Sequence, residues 1–235
     1  MSVDGKRGCW TLIVLSVVLG GIGAYLLTPK RNHIDGASSM IFSNVRQILF
    51  AIHDYEERHK HLPGNAIRDE AGKPLLSWRV AILPYIEQEV LYERFKLDEP
   101  WDSRHNIALL KEMPQIYAMP NQAETTETYM QVLVGPGTAF ERTDKPLTLQ
   151  KDFPDGRSNT ILLVVADRPV PWTKPEDMAF HPEGVFPVTG EGWKRGGFSG
   201  PRIVIGFADG SIMGNAENYD PLKLRHLAVR NDGMP

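Results

Sequence analysis

His53, His59 and His61, with Asp54, Glu56 and Glu57 among them, are the densest group of metal-capable side chains in the chain. Imidazoles and carboxylates ligate zinc and related ions when their spacing puts them on one face. His59 and His61 are two apart, a spacing that points them away from each other on a helix. No His-Glu-x-x-His pattern occurs. The cluster reads as the solvated end of a helix or as an interaction surface, with no metal and no cofactor expected.

Other chemistry-bearing residues have local readings of the same kind. Asp155 and Asp209 each precede a glycine, and aspartate in an Asp-Gly step serves its own backbone. Asp209-Gly210 is therefore a motif turn. Asp98, Glu99 and Asp102 around Trp101 offer oxygens to calcium, but their spacing is not that of an EF-hand loop. No Gly-x-Ser-x-Gly elbow is present, and Cys9 is the single cysteine. Gly192-Trp193-Lys194-Arg195-Gly196-Gly197 lacks the order of a phosphate loop. No catalytic residue is assigned. Trp78, Trp101, Trp172 and Trp193 can stack sugars or serve as buried anchors. Trp101, Trp172 and Trp193 form the candidate partner or ligand surface.

The elements that would position these residues begin with an apolar run. From Cys9 to Leu27 no side chain is charged. As a helix the run would span about 28 Å, close to the hydrocarbon thickness of a bilayer. Lys6 and Arg7 precede it, and Lys30 and Arg31 follow. Residues 1–8 read as a short cytoplasmic head, 9–28 as an uncleaved single-pass anchor in the bilayer, and 36–235 as the domain. Leu26-Leu27-Thr28-Pro29 is a poor cleavage site. Ser16, Gly20 and Ala24 make a small-xxx-small ladder, a helix-pairing face or simply common membrane residues. The short head favours the domain on the outer, periplasmic side of the cytoplasmic membrane. A net charge of −3 argues against nucleic acid as a partner.

A long amphipathic helix is predicted over 37–61, with Met40, Ile41, Val45, Ile48, Leu49, Ile52 and Tyr55 on one face and Pro63-Gly64 after it. Residues 77–83 read as helical up to Pro84, which can start a second helical stretch running to Phe95. A short helix is expected over 106–112. The second half reads as strands at 129–134, 161–165 and 203–207. Asp209-Gly210 marks a hairpin, and Asp220-Pro221 opens a terminal helix running to Val229.

Several segments together resemble a known family. They are Asn44-Val45-Arg46-Gln47-Ile48, His53-Asp54-Tyr55, Leu62-Pro63-Gly64, Ser77-Trp78-Arg79 and Leu83-Pro84-Tyr85-Ile86-Glu87-Gln88. Glu99-Pro100-Trp101-Asp102-Ser103, Asp155-Gly156-Arg157-Ser158-Asn159-Thr160, Val170-Pro171-Trp172-Thr173-Lys174-Pro175-Glu176-Asp177 and Phe207-Ala208-Asp209-Gly210-Ser211 complete the set. In this order they resemble the bacterial domain-of-unknown-function family 1559. The resemblance implies a pilin-like fold, often with a prepilin-type N-terminus. Gly8-Cys9-Trp10-Thr11-Leu12-Ile13-Val14 departs from the prepilin pattern and lacks its glutamate. Ser199 stands in a slot where the family has histidine. Ile41 and Met119 stand where relatives carry two cysteines, so the two should pack near one another.

The expected fold is α+β: a transmembrane helix, a long amphipathic helix on a mainly antiparallel sheet, and short extra helices. The expected function is a membrane-anchored, non-enzymatic envelope protein that binds other envelope or pilin-like proteins or carbohydrate. One alternative is a pseudopilin of a type II secretion or type IV pilus-like assembly. Another is an envelope hydrolase, which requires a convergent base, nucleophile and oxyanion donors.

Overall fold

The structure is a computed structural model that describes residues 36–120, 122, 124–142, 146–189, 203–214 and 220–233. The expected head, anchor and small-residue ladder, and the motif positions Trp193 and Ser199, lie outside these residues. Among the described residues no helix is long and apolar enough to cross a membrane.

Helix α1 spans Gly36–His59. Of its predicted apolar stripe, Ile41, Val45, Ile48, Leu49 and Ile52 are at most 1% exposed and Tyr55 is half-buried, but Met40 is 53% exposed because it lies off the face that meets the sheet. Each fully buried side chain contributes about 1.5–3 kcal/mol by leaving water. Arg58 and His59 close its last turn, where the Arg58 charge complements the helix dipole. The stripe lies against a four-stranded antiparallel sheet of order β3-β5-β7-β8, formed by Glu127–Gln131, Ile161–Pro171, Val204–Phe207 and Ile212–Gly214. Gly206 makes the close approach possible, because a Cβ there would sit 2.8 Å from the Leu49 side chain.

Both faces of the sheet are covered. Leu162, Val165 and Val204 join the α1 core, while Ile161, Val164 and Ile205 join a second core with Phe180, Phe186, Leu224 and Ala228. Alternate strand residues face opposite ways, so two covered faces make the strand sequences continuously apolar. The second core is closed by a terminal helix, Pro221–Ala228, whose N-cap Asp220 accepts from the Leu222 amide at 2.9 Å. The predicted hairpin is present: β7 pairs with β8 across Asp209-Gly210, with Gly210 at φ 85°.

Three boundaries differ from the sequence reading. The expected strand 129–134 is split. β3 ends at Gln131, and β4, Leu133–Val134, pairs in parallel with β6, Met178–Ala179. The break falls at Val132, whose amide donates to Asp177 Oδ1 instead of continuing the ladder. Strand β5 runs past Val165 to Pro171 because Glu127 and Thr128 of β3 pair with Pro171 and Val170. Between α1 and β3, the expected helices are short. α2 is Trp78–Ala81, a 3-10 turn covers Leu83–Ile86, and α3 is only Glu89–Glu93. Glu87 at φ 60° interrupts them. A small antiparallel pair, β1 Ala66–Arg68 and β2 Pro74–Ser77, precedes α2. Ile41 and Met119 enter the same core, each at most 1% exposed.

Candidate functional site

Most of the motif residues are engaged in holding the fold. Ser77 caps α2, Trp78 and Arg79 follow it inward, and Asp177 meets them. Arg79 is fully buried, and its guanidinium donates to the Met130 carbonyl, the Ser77 hydroxyl and Asp177 Oδ1 at 2.8, 2.7 and 2.6 Å. Trp78 Nε1 and the Val132 amide donate to the same carboxylate oxygen. Burial pushes the Asp177 carboxyl up, and the adjacent Arg79 charge opposes the shift. Asn106 ties a loop by donating to the carbonyls of Lys96, Glu99 and Pro100. Asp155 accepts from the amides of Asp232 and Gly233. Asp209 Oδ1 accepts from the Ser211 amide and hydroxyl within its turn.

One member of the tryptophan surface needs correction. Trp172 is fully buried, stacked on Tyr117 at 5.9 Å and edge-on to Phe95 at 5.7 Å. Its indole N–H donates to the Leu110 carbonyl at 2.8 Å. It packs as an anchor, because a large apolar body with one satisfied donor stabilises a loop-rich core best from inside. Trp101 is half-buried, with the Lys174 ammonium 5.6 Å from its ring centre. Beside it, Glu99 pairs with Lys96 at 2.8 Å. Among the described residues, no group of three or more His, Cys, Asp or Glu side chains is placed to hold a metal ion.

The histidine cluster is a different matter. Helix α1 stops at His59, and Lys60 at φ 64° turns the chain back. The expectation that His59 and His61 diverge fails for that reason: their ring centres are 6.0 Å apart. His59 stacks on Tyr55, one turn earlier, at 4.1 Å. Its Nε2 shares a hydrogen bond of 2.9 Å with the Tyr85 hydroxyl. Tyr85 stands edge-on to Tyr55 at 5.7 Å. His61 Nδ1 donates to the Leu62 carbonyl at 2.8 Å. His53 is placed elsewhere on α1, with its Nε2 buried and unpartnered.

The Tyr55, His59 and Tyr85 rings line an open groove of about 720 Å³, and His61 lies outside it. The end of α1 contributes Tyr55, Arg58 and His59, and the Leu83–Ile86 turn contributes Tyr85. Pro84 starts that turn with a preset φ, and Glu87 ends it in the left-handed region, so α3 restarts along the groove. α3 then supplies Glu89, Tyr92 and Glu93. Such a volume suits a small organic ligand.

The electrostatics are those of a neutral, hydrogen-bonding site with charges of both signs at its rim. Burial pushes the Tyr55, Tyr85 and Tyr92 hydroxyls above their ordinary pKa, and Arg58 partly opposes this at Tyr85. Burial, then His61, then Arg58 hold the His59 imidazole below its ordinary value. At neutral pH the groove therefore presents protonated phenols and an uncharged imidazole. Sequence reasoning singled out the histidines but missed Tyr85 and Tyr92. Their available trace was two aromatics seven apart in a helical stretch, which reads equally well as core.

No curated protein and no solved structure matches the chain. Residues 42–146, a segment that contains every groove residue named above, match the model of the family described as a protein of unknown function (DUF1559), the family the sequence motifs resemble.

Proposed function

We propose that this protein is a single-pass, membrane-anchored, pilin-like envelope protein without catalytic activity, acting as a tethered binding module. The observation that carries the reading is the uncharged run Cys9–Leu27, which stands just ahead of a long helix packed on an antiparallel sheet. The run has the length of a bilayer span. The groove at the far end of α1 supplies a place to bind. It replaces the tryptophan loops as the ligand surface. The test is the intact mass and N-terminal residue of the protein extracted from native membranes. A chain retaining residues before Gly8 supports a permanent anchor. A methylated chain beginning at Cys9 favours the pseudopilin alternative, and recovery of the protein without detergent overturns the anchor.

The envelope-hydrolase alternative has one observation in its favour: Glu89, Glu93 and His59 line the same groove. Acid–base work near neutrality would need one carboxyl held protonated by burial. Glu89 and Glu93 are both exposed, so binding is the better reading of the groove.

A further inference from the structure

We infer that the groove bounded by Tyr55, His59, Tyr85 and Tyr92 binds an uncharged glycan, with sugar faces against the rings and sugar hydroxyls on Arg58, Glu89 and Glu93. The inference rests on the binding-module reading and names its ligand class.

Four features carry it. First, the rings converge from two separate elements. Tyr55 and His59 come from α1, and Tyr85 and Tyr92 come from the segment after Pro84. A pyranose presents a flat face of C–H groups, which suits the electron-rich face of a tyrosine. Second, the rim combines one guanidinium with two carboxylates. A sugar hydroxyl both donates and accepts, so a pair of vicinal hydroxyls can use both kinds of partner. A strongly charged ligand would be favoured by one and repelled by the other. Third, the ring substituents are hydroxyls and an imidazole, each able to donate or accept. Tyr85 and His59 hold each other in place at 2.9 Å, so their positions are set before a ligand arrives. Fourth, the groove is open to solvent, so a soluble saccharide can reach the rings directly. An aromatic cage for a quaternary ammonium would use the same rings and the two carboxylates. Arg58 at the rim, and the edge-to-face contact of Tyr55 with Tyr85 at 5.7 Å, speak against it, because a cage needs a cation-sized gap between its rings.

The test uses the full chain in an amine-oxide detergent, which carries no sugar headgroup. Maltotriose, cellotriose and triacetylchitotriose are titrated separately, with choline as the cationic probe, and binding is read by saturation-transfer NMR and calorimetry. The expected result is binding of at least one trisaccharide and none of choline. Tyr92→Ala should weaken that binding about tenfold, the scale of one lost stacking ring. Tyr85→Phe keeps the ring and should weaken it several-fold. Trp101→Ala should leave it unchanged. If Tyr92→Ala does not fold, Tyr92→Leu retains apolar bulk and serves the same purpose. Binding of none of the trisaccharides overturns the inference. So does choline binding in their place, or a loss caused by Trp101→Ala and not by Tyr92→Ala. Cleavage of a bound trisaccharide upholds the ligand class and overturns the non-enzymatic reading. Failure of the anchor shows in the N-terminal mass and leaves the titration to stand by itself.

Discussion

Asp177 Oδ1 sits 2.6 Å from Arg79 Nη2 inside the core, although the two residues are 98 positions apart. Neither side chain is more than 1% exposed. Such a pair is a condition of the fold more than a source of net stability, because desolvating both ions offsets most of their attraction. Asp177→Ala strands the Arg79 charge and leaves the Trp78 indole and Val132 amide without their acceptor. It should cost about 3–5 kcal/mol in urea unfolding. In a double-mutant cycle, Arg79→Met combined with Asp177→Ala should cost clearly less than the two single changes added together. Additive losses would mean that the pair is not coupled.

Asp155 latches the end of the described chain by accepting from the Asp232 and Gly233 amides. Asp155→Ala should cost about 1 kcal/mol, the net scale of a hydrogen bond, because Asp232 and Gly233 are exposed and water can take over their amides. Amide exchange at Asp232 and Gly233 should accelerate well before exchange in β5. Unchanged protection at those two amides would show that the latch is dispensable.

Two glycines separate hard contacts from soft ones. A Cβ at Gly135 would run into the Phe180 carbonyl, whereas one at Gly206 would meet the Leu49 side chain. Backbone cannot yield as a leucine rotamer can. Both alanine substitutions should destabilise by about 1–3 kcal/mol, with Gly135→Ala the worse. The melting temperatures of the two variants decide the order.

Alkaline titration should show the raised tyrosines. Tyr55, Tyr85, Tyr92 and fully buried Tyr117 all have hydroxyls pushed above the ordinary value of 10.0, chiefly by burial. A folded-state pKa above the unfolded one gives stability that is complete below pH 10 and lost as the pH rises through the folded values. Phenolate absorbance of the folded protein should therefore lag that of the urea-unfolded chain. Coincident curves would contradict the burial of these rings.

His59 has the opposite sign. Its folded pKa lies below the ordinary 6.5, so its contribution is intact above pH 6.5 and falls as the pH drops through that range. In NMR titration, the His59 ring protons should turn at lower pH in the native protein than in its unfolded form. Tyr85→Phe should move that midpoint, since it removes the hydroxyl bonded to Nε2.

What the sequence made legible is what local rules decide. The stripe of α1 follows from helical periodicity, the β7–β8 hairpin from Asp209-Gly210, and the terminal helix from the Asp220 cap. What it hid depends on distant partners or on a single backbone angle. Val132 looks like the middle of a strand until Asp177 takes its amide. Trp172 looks like a loop aromatic until Tyr117 and Phe95 close over it. His59 and His61 look divergent because nothing in a lysine announces a left-handed turn at Lys60. The groove depends on that turn and on the one at Glu87, so its residues were visible singly and its assembly was not.

Strand β5 also bears on where the family segment can be cut. Residues 42–146 include β3 and Arg79, but β5 and Asp177 lie downstream. Expressed alone, that segment would carry an unpaired strand edge and an uncompensated interior cation. The stretch that matches the family model is thus not a stretch that should stand alone as a folded body. A shortened version of the protein should be cut after Asp155 has reached its partners at the C-terminus, and not at the boundary that sequence similarity suggests.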